Sequence, residues 1–181
     1  MRVIAGAARS IQLVAPRDRG TRPVSDKVKE TLFGILAGRV LDARVLDLYA
    51  GSGALGIEAL SRGALHATFV DHGRDALAAI RTNLQRTRLE EAASVHGHDV
   101  IRYLDAPADG PFDLVLIDPP YADEALLAPL ERLERHLAPG ATVVVKHFWR
   151  TPVPEVASLQ RWRDRRFGET GLTFLERVED V

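Results

Sequence analysis

A chain of 181 residues is long enough for one full α/β domain with a sizeable core and too short for two. The absence of cysteine excludes disulfide frameworks and zinc–thiolate sites and fits a reducing cytoplasm, and no apolar run reaches membrane-spanning length. We therefore expect a cytoplasmic protein with one main domain, no membrane partner and no metal.

The charge of the chain is unevenly distributed, although its formal sum is only −1. Residues 1–44 contain nine Lys or Arg against four acids, and residues 146–168 contain six against two. Residues 45–145, between them, contain eight against fifteen. Basic surface attracts phosphates regardless of sequence, so the two basic regions favour RNA contact. For any single arginine, a solvated surface position is the simpler interpretation.

The amino-terminal residues predict a small appendage to the main domain. Residues 2–5 and 10–14 have the pattern of two short strands in a hairpin, and a basic loop bounded by prolines follows. The chain divides into this hairpin with its loop, residues 1–24, and a main domain, residues 25–181.

The first helix is expected to begin after Ser25, a suitable N-cap, and to run to about residue 37. Its apolar residues fall on one face, which should pack on the sheet. The charged residues Lys27, Lys29 and Glu30 are expected to point away from that face.

A glycine-rich turn follows the first predicted strand. Residues 45–48 are apolar except for Asp47, as is typical of a buried parallel strand. Three glycines then have the spacing G-x-G-x-x-G: Gly51, Gly53 and Gly56. This spacing lets a nucleotide cofactor approach the backbone, but on its own it also occurs in plain tight turns. The strand before it and the helix formers at residues 54–62 after it favour a cofactor site.

The pattern then alternates between strand and helix, which predicts parallel strands joined by right-handed crossovers. A helix carrying Leu130, Leu133 and Leu137 on one face is expected to end at Pro139 and Gly140. Further strands are predicted at residues 67–71, 93–98, 112–117 and 142–145, and an antiparallel hairpin at residues 162–167 and 172–177. The result is a Rossmann-like α/β fold with a seven-stranded, mostly parallel sheet.

Asp71 closes the second strand and follows Gly51 by twenty residues. An acid at this separation can reach the ribose hydroxyls of a nucleotide cofactor. An ordinary helix cap is the alternative role for such an acid. The spacing and the strand end favour ribose binding.

The sequence Asp118-Pro119-Pro120-Tyr121 ends the predicted strand at residues 112–117. An exocyclic amine is a poor nucleophile until acceptors take hydrogen bonds from its N–H groups. A carboxylate and a carbonyl next to proline, which has no N–H, form an acceptor-only corner of this kind. The tyrosine ring can stack on a base. A stiff turn is the alternative, but the corner predicts amine methylation.

Several segments together resemble the RsmD-type small-subunit ribosomal RNA guanine-N2 methyltransferases. They are VLDLYAGSGALGIEALSRGA, FVD, IDPPY and TRPVSDKVKETLFGIL, and the similarity runs over residues 2–176. The resemblance implies a class I methyltransferase that uses S-adenosylmethionine. The implied partner is ribosomal RNA or the small ribosomal subunit particle, and a monomer is favoured.

The resemblance also implies roles for individual residues. Asp99 would accept from the adenine amino group or cap a helix, and Arg22 would hold the methionine carboxylate or remain an exposed loop arginine. The expected cofactor-binding residues are Arg22, Asp47, Tyr49, Gly51, Gly53, Asp71 and Asp99. The expected catalytic residues are Asp118, Pro119, Pro120 and Tyr121. Similar proteins tend to have glutamate in place of Lys146, a change expected to leave the catalytic corner alone.

Other functions use the same features. A DNA adenine-N6 or protein-glutamine methyltransferase has the same acceptor corner, although a DNA enzyme more often brings a target-recognition region for which this chain has no room. A non-catalytic RNA-binding protein with a cofactor fold is disfavoured by the intact corner. His96 and His98 are expected to be structural rather than metal ligands.

Overall fold

The computed structural model describes residues 1–17, 24–119 and 126–178. Its strands are β1 (Arg44–Leu48), β2 (His66–Asp71), β3 (Ala93–Gly97), β4 (Phe112–Ile117), β5 (Leu137–Phe148), β6 (Leu159–Phe167) and β7 (Thr170–Arg177). They form one seven-stranded sheet in the order β3-β2-β1-β4-β5-β7-β6. Neighbours from β3 to β5 are parallel, whereas β7 is antiparallel to both β5 and β6. The predicted α/β sheet with an antiparallel carboxyl-terminal hairpin is confirmed.

Among the described residues, the α-helices are α1 (Asp26–Leu36), α2 (Ala54–Ser61), α3 (Arg74–Thr87), α4 (Val100–Asp105) and α5 (Leu127–Arg132). The Ser25 side chain accepts from the Val28 N–H and caps α1, as predicted. Gly63, at φ +98°, follows the end of α2 as a C′ residue. No helix in the described ranges is both long and apolar enough to cross a membrane.

Alternate side chains of the central strands enter two apolar layers, one on each face of the sheet. Val45 and Leu114 belong to the layer that also contains side chains of α1, α2 and α3. Leu46 and Val115 belong to the other, with side chains of α4 and α5. Both faces are covered, as parallel strands require, so the carboxyl ends of the strands form the accessible edge of the sheet.

The amino-terminal hairpin is paired but forms no full strands. A single bridge joins Arg2 and Gln12, and the Val3 N–H donates to the Ile11 carbonyl at 3.0 Å. The backbone N–H groups of Ile4 and Ala5 donate to the Glu58 carboxylate at 2.8 and 3.0 Å. The predicted strands are short because α2 takes these hydrogen bonds.

Lys29 corrects the expectation that this charged residue points away from the core. Its side chain is fully buried, donates to the Arg2 carbonyl and lies 3.5 Å from Glu58 Oε2. Burial lowers the pKa of Lys29, and the neighbouring Glu58 carboxylate opposes that shift. Lys29 therefore joins α1 to the appendage and to α2.

The prediction that one helix carries Leu130 to Leu137 and ends at Pro139 was wrong. Helix α5 ends at Arg132, and Leu137 already pairs with Phe112 as the first residue of β5. The register shifts before Thr142 pairs with Leu114, and Gly140 has φ +66° within the irregularity. This bulge accommodates proline and glycine inside a strand, so they do not mark its beginning.

Candidate active site

Strands β1 and β4 end side by side at the accessible edge of the sheet. Leu48 pairs with Ile117, and the Asp118 N–H lies 3.4 Å from the Leu48 carbonyl oxygen. The glycine turn follows β1, and the acceptor corner follows β4. The structure therefore brings together the two motifs on which the functional prediction rests.

Asp47 holds the glycine turn from inside the protein. It is only 1% exposed, and its Oδ2 accepts from the Gly56 N–H at 2.9 Å. A Cβ at Gly56 would lie 2.4 Å from the Phe69 ring and 3.0 Å from that carboxylate. Burial raises the pKa of Asp47 well above its ordinary value, with smaller contributions from Asp118 and Asp71. The carboxyl group thus fixes how the first turn of α2 sits on the sheet.

Asp71 joins the end of β2 to the glycine turn. Its Oδ2 accepts from the Gly51 N–H at 2.9 Å, and its Oδ1 accepts from the Gly73 N–H at 2.8 Å. Each carboxylate oxygen has a further lone pair. Both Gly51 and Gly53 adopt positive φ, at +57° and +74°, which suits glycine.

The outer side of Gly51 is open. Beyond its chain neighbours, a Cβ built there would meet nothing closer than the Tyr49 carbonyl oxygen at 3.9 Å. Tyr49 itself is a non-glycine residue at φ +58° and is half-buried. Burial raises the pKa of the Tyr49 hydroxyl, and the Asp99 carboxylate adds to the shift. Strained backbone of this kind concentrates at functional sites.

Asp99 caps helix α4 at the end of β3. Its Oδ1 accepts from the N–H groups of Ile101 and Arg102 at 2.9 and 3.1 Å. The residue is exposed, and the cap involves only one of its two oxygens. The capping role considered for Asp99 is thus present, and it is compatible with a ligand at the other oxygen.

Asp118 forms an ion pair that the sequence did not predict. Lys146 Nζ, on β5, donates to Asp118 Oδ1 at 2.5 Å, and the lysine is only 8% exposed. Burial raises the pKa of Asp118, and the Lys146 ammonium opposes the rise. The expectation that Lys146 leaves the catalytic corner alone was wrong, because strands β4 and β5 are neighbours and place the two side chains together.

The described residues contain most of the predicted site. Gly51, Gly53 and Asp71 lie together at the turn, Asp118 and Pro119 lie beside it, and Tyr49 lies where β1 ends. Arg22, Pro120 and Tyr121 lie outside the described residues.

Comparison with known proteins identifies the relatives of this arrangement. The family described as "Conserved hypothetical protein 95" matches residues 1–176. The chain belongs to this family, the RsmD family. The Bacillus subtilis protein named "Putative rRNA methyltransferase YlbH" is 37% identical over 182 residues, which cover 98% of this chain and 99% of that protein. Ribosomal RNA small subunit methyltransferase D of Escherichia coli is 34% identical over 180 residues, with 98% and 90% covered.

The solved structures of relatives agree with the fold. "Putative methyltransferase yhhF from Escherichia coli" superimposes with a TM-score of 0.87 at 34% identity, covering 98% of this chain and 97% of that chain. A Haemophilus influenzae structure described as "putative methylase HI0767" has a TM-score of 0.82 at 30% identity, covering 99% of each chain. The predicted class I methyltransferase fold is confirmed.

Sequence reasoning missed Asn83, which joins three segments at this edge. Its Nδ2 donates to the carbonyls of Ser52 and Val14 at 2.8 and 2.9 Å, and its Oδ1 accepts from the Val14 N–H at 2.8 Å. Asn83 follows Ile80 by three residues on the buried face of α3. A polar residue on that apolar face was the available signal.

Proposed function

We propose that the protein transfers a methyl group from S-adenosylmethionine to the exocyclic N2 amine of a guanine in small-subunit ribosomal RNA. The observation that carries the proposal is the position of Asp118 at the end of β4, directly beside the glycine turn that follows β1. The names of relatives 34% to 37% identical over nearly the whole chain support ribosomal RNA as the substrate. Ribosomal RNA as substrate fits a cytoplasmic location.

The donors and acceptors at this edge fit S-adenosylmethionine. The open side of Gly51 leaves room for a ligand against the backbone, and Asp71 and Asp99 offer carboxylate oxygens to ribose hydroxyls and to an amino group. Tyr49 would border the same space, and Asp47 would hold the turn in place. Arg22 is proposed to reach the methionine carboxylate. When bound, the cofactor supplies a methyl group on a sulfonium, which is already activated for transfer.

The residues at the acceptor corner would prepare the amine. Asp118 and the Pro119 carbonyl accept from the two N–H groups, so the nitrogen lone pair leaves conjugation with the ring and points at the methyl group. The N–C bond forms as the S–C bond breaks, and the surplus proton of the amine passes to Asp118. Pro120 and Tyr121 complete the corner, with the tyrosine ring stacked on the base. The base must be unpaired or flipped to reach it.

The experiment is methyl transfer from labelled S-adenosylmethionine, with small-subunit RNA taken from cells that lack the gene. The free RNA and the assembled particle are tested side by side, and the RNA is digested to nucleosides. We expect N2-methylguanosine to be the labelled product. Labelled N6-methyladenosine, labelled protein, or RNA binding without transfer would replace this function by one of the alternatives.

A further inference from the structure

An arginine-rich cleft of about 380 Å³ lies where β5 ends. It is formed by the connection after β5 and by the hairpin of β6 and β7. Four lining residues are arginines: Arg150, Arg161, Arg165 and Arg166. Among the described residues that line the cleft, Asp164 is the only carboxylate. The cleft therefore carries excess positive charge.

Strand pairing places this cleft near the end of β5 that carries Lys146, with His147 and Thr173 on the face of the sheet opposite to Lys146. Lys146, the partner of Asp118, pairs on β5 with Leu172, and Leu172 lines the cleft. Trp149 also lines it and follows Lys146 by three residues, which corresponds to about 10 Å at roughly 3.3 Å per residue. A strand of nucleic acid whose base occupies the corner would thus have its adjoining backbone within reach of the cleft.

Two guanidinium groups are arranged on the Trp149 ring. Arg166 Cζ lies 3.5 Å from the ring centroid, and Arg150 Cζ lies 4.9 Å from it. Arg166 Nε also donates to the Gly168 carbonyl at 2.8 Å. Stacking involves the flat face of a guanidinium and leaves N–H donors at its edge, where they can bind phosphate oxygens. The indole therefore orients these donors before any anion arrives.

The Asp164 carboxylate in the cleft already has partners. Asp164 Oδ1 accepts from the Thr173 hydroxyl at 2.6 Å, and that hydroxyl lies 3.0 Å from His147 Nε2. Arg161 lies 4.0 Å from Asp164 Oδ2 and also donates to the Val153 carbonyl. Asp164 thus offsets mainly the charge of Arg161, and the other arginines give the cleft its affinity for anions.

We propose that this cleft binds the phosphodiester backbone of the RNA strand directly beside the target nucleotide. The proposal rests on the proposed function in that RNA is the substrate. In this proposal, the basic region of residues 146–168 contacts the nucleotides that adjoin the reacting base. Backbone contacts of this kind position the strand without reading its sequence.

The test compares two pairs of substitutions with the same change in charge. Arg150→Gln/Arg166→Gln removes both guanidiniums from Trp149. Arg81→Gln/Arg86→Gln removes two exposed arginines from α3. This helix contacts β2 and β3, which lie at the opposite edge of the sheet from β6. The affinity of each protein for a transcript of small-subunit ribosomal RNA is measured over a range of salt concentrations.

We expect the cleft variant to reduce the steepness of the slope of log affinity against log salt by about 1.4, because each phosphate contact to a single strand contributes about 0.7 to that slope. Its KM for RNA should rise with little change in kcat, and its affinity for S-adenosylmethionine should match the wild type. The α3 variant should keep the wild-type slope. In a Trp162→Phe background, which leaves Trp149 as the single tryptophan, RNA should change the tryptophan emission.

An unchanged slope in Arg150→Gln/Arg166→Gln would overturn the cleft proposal, and wild-type methylation of the same transcript would then leave the proposed function standing. The cleft proposal is also overturned if an acidic peptide, but not RNA, changes the Trp149 emission, since the cleft would then be a protein-binding site. A wild-type protein that neither binds nor methylates small-subunit ribosomal RNA, whether as the transcript or in the assembled particle, would overturn both proposals.

Discussion

The Lys146 ammonium lies 2.5 Å from Asp118 Oδ1, and this ion pair connects β5 to the residue that follows β4. Burial raises the pKa of Asp118, and Lys146 is the charge that opposes the rise. On the other side of β4, strand β1 carries the buried acid Asp47, which interacts electrostatically with Asp118. Lys146 therefore favours the ionised form of the carboxylate proposed to accept from the target amine.

Substitution of Lys146 should change the pH dependence of methyl transfer. Without the ammonium, burial acts unopposed and the pKa of Asp118 rises further, so a larger fraction of Asp118 is protonated at a given acidic pH. In Lys146→Met, the acidic limb of the single-turnover rate should move to higher pH. Lys146→Arg should leave it close to the wild-type position. The rates are measured against pH with saturating RNA and cofactor.

Lys27→Met, which removes an exposed lysine from α1, is the matched control. Its acidic limb should coincide with that of the wild type. If Lys146→Met lowers the rate by the same factor at every pH, the lysine acts only on the shape of the site.

Asp47 should make stability depend on pH in the opposite sense to an ion-paired acid. Its pKa is raised on folding, so the native state binds the proton more tightly. The free energy of unfolding should then fall as pH rises from the unfolded value of about 3.9 through the raised native pKa. Asp47→Asn still accepts from the Gly56 N–H and cannot ionise. Its stability relative to the wild type should increase with pH over this window in urea denaturation experiments.

The control for Asp47 is Asp75→Asn, an exposed acid in the first turn of α3. The stability difference between this variant and the wild type should have a weaker dependence on pH. If the difference in the free energy of unfolding between Asp47→Asn and the wild type did not change with pH, the buried carboxyl would keep its ordinary pKa.

Local patterns were sufficient to predict most of the elements. The apolar run before Gly51 and the N-cap at Ser25 mark boundaries within a few neighbouring residues. The meeting of the glycine turn with Asp118 is explained by the strand order, because parallel strands place their carboxyl ends at one edge. These inferences need only sequence neighbours and the rules of strand connection.

Pairings between distant side chains were not predictable in the same way. Lys29 is fully buried because the appendage folds over α1. Its acceptor, the Arg2 carbonyl, lies 27 residues away in the sequence. Lys146 meets Asp118 only through the adjacency of β4 and β5, and the bulge before Thr142 conceals the beginning of β5. Each case depends on a contact between segments that no periodicity encodes.

Lys29 and Glu58 should contribute unequally to stability, although they face each other. Glu58 also accepts from Ile4, Ala5 and Arg62 at 2.8 to 3.0 Å. Lys29→Met leaves those donors with their acceptor. Glu58→Leu leaves a buried ammonium and two backbone N–H groups without the carboxylate, and this should cost about 3–5 kcal/mol.

The comparison between these two variants is made by urea denaturation. The loss for Lys29→Met should be clearly smaller than that for Glu58→Leu. Equal losses would show that the lysine, rather than the set of donors around Glu58, holds the appendage on α2.

Asp118 should affect methyl transfer far more than cofactor binding. The hydrogen bonds that it accepts strengthen as the target nitrogen pyramidalises, so they stabilise mainly the transition state. Asp118→Ala should lower the single-turnover rate by roughly a hundredfold or more, the scale for loss of one positioned polar group. Asp118→Asn keeps one acceptor oxygen and should retain more activity than Ala. Affinity for S-adenosylmethionine, measured by titration, should change little in either variant.

Loss of the carboxylate also leaves the Lys146 ammonium, itself 8% exposed, without this partner. The double variant Asp118→Ala/Lys146→Met separates the two effects, because it removes the charge together with its partner. It should be more stable in urea than Asp118→Ala and equally slow in methyl transfer. If the double variant recovers a near wild-type rate, the defect of Asp118→Ala comes from the stranded lysine, and Asp118 has no part in preparing the amine.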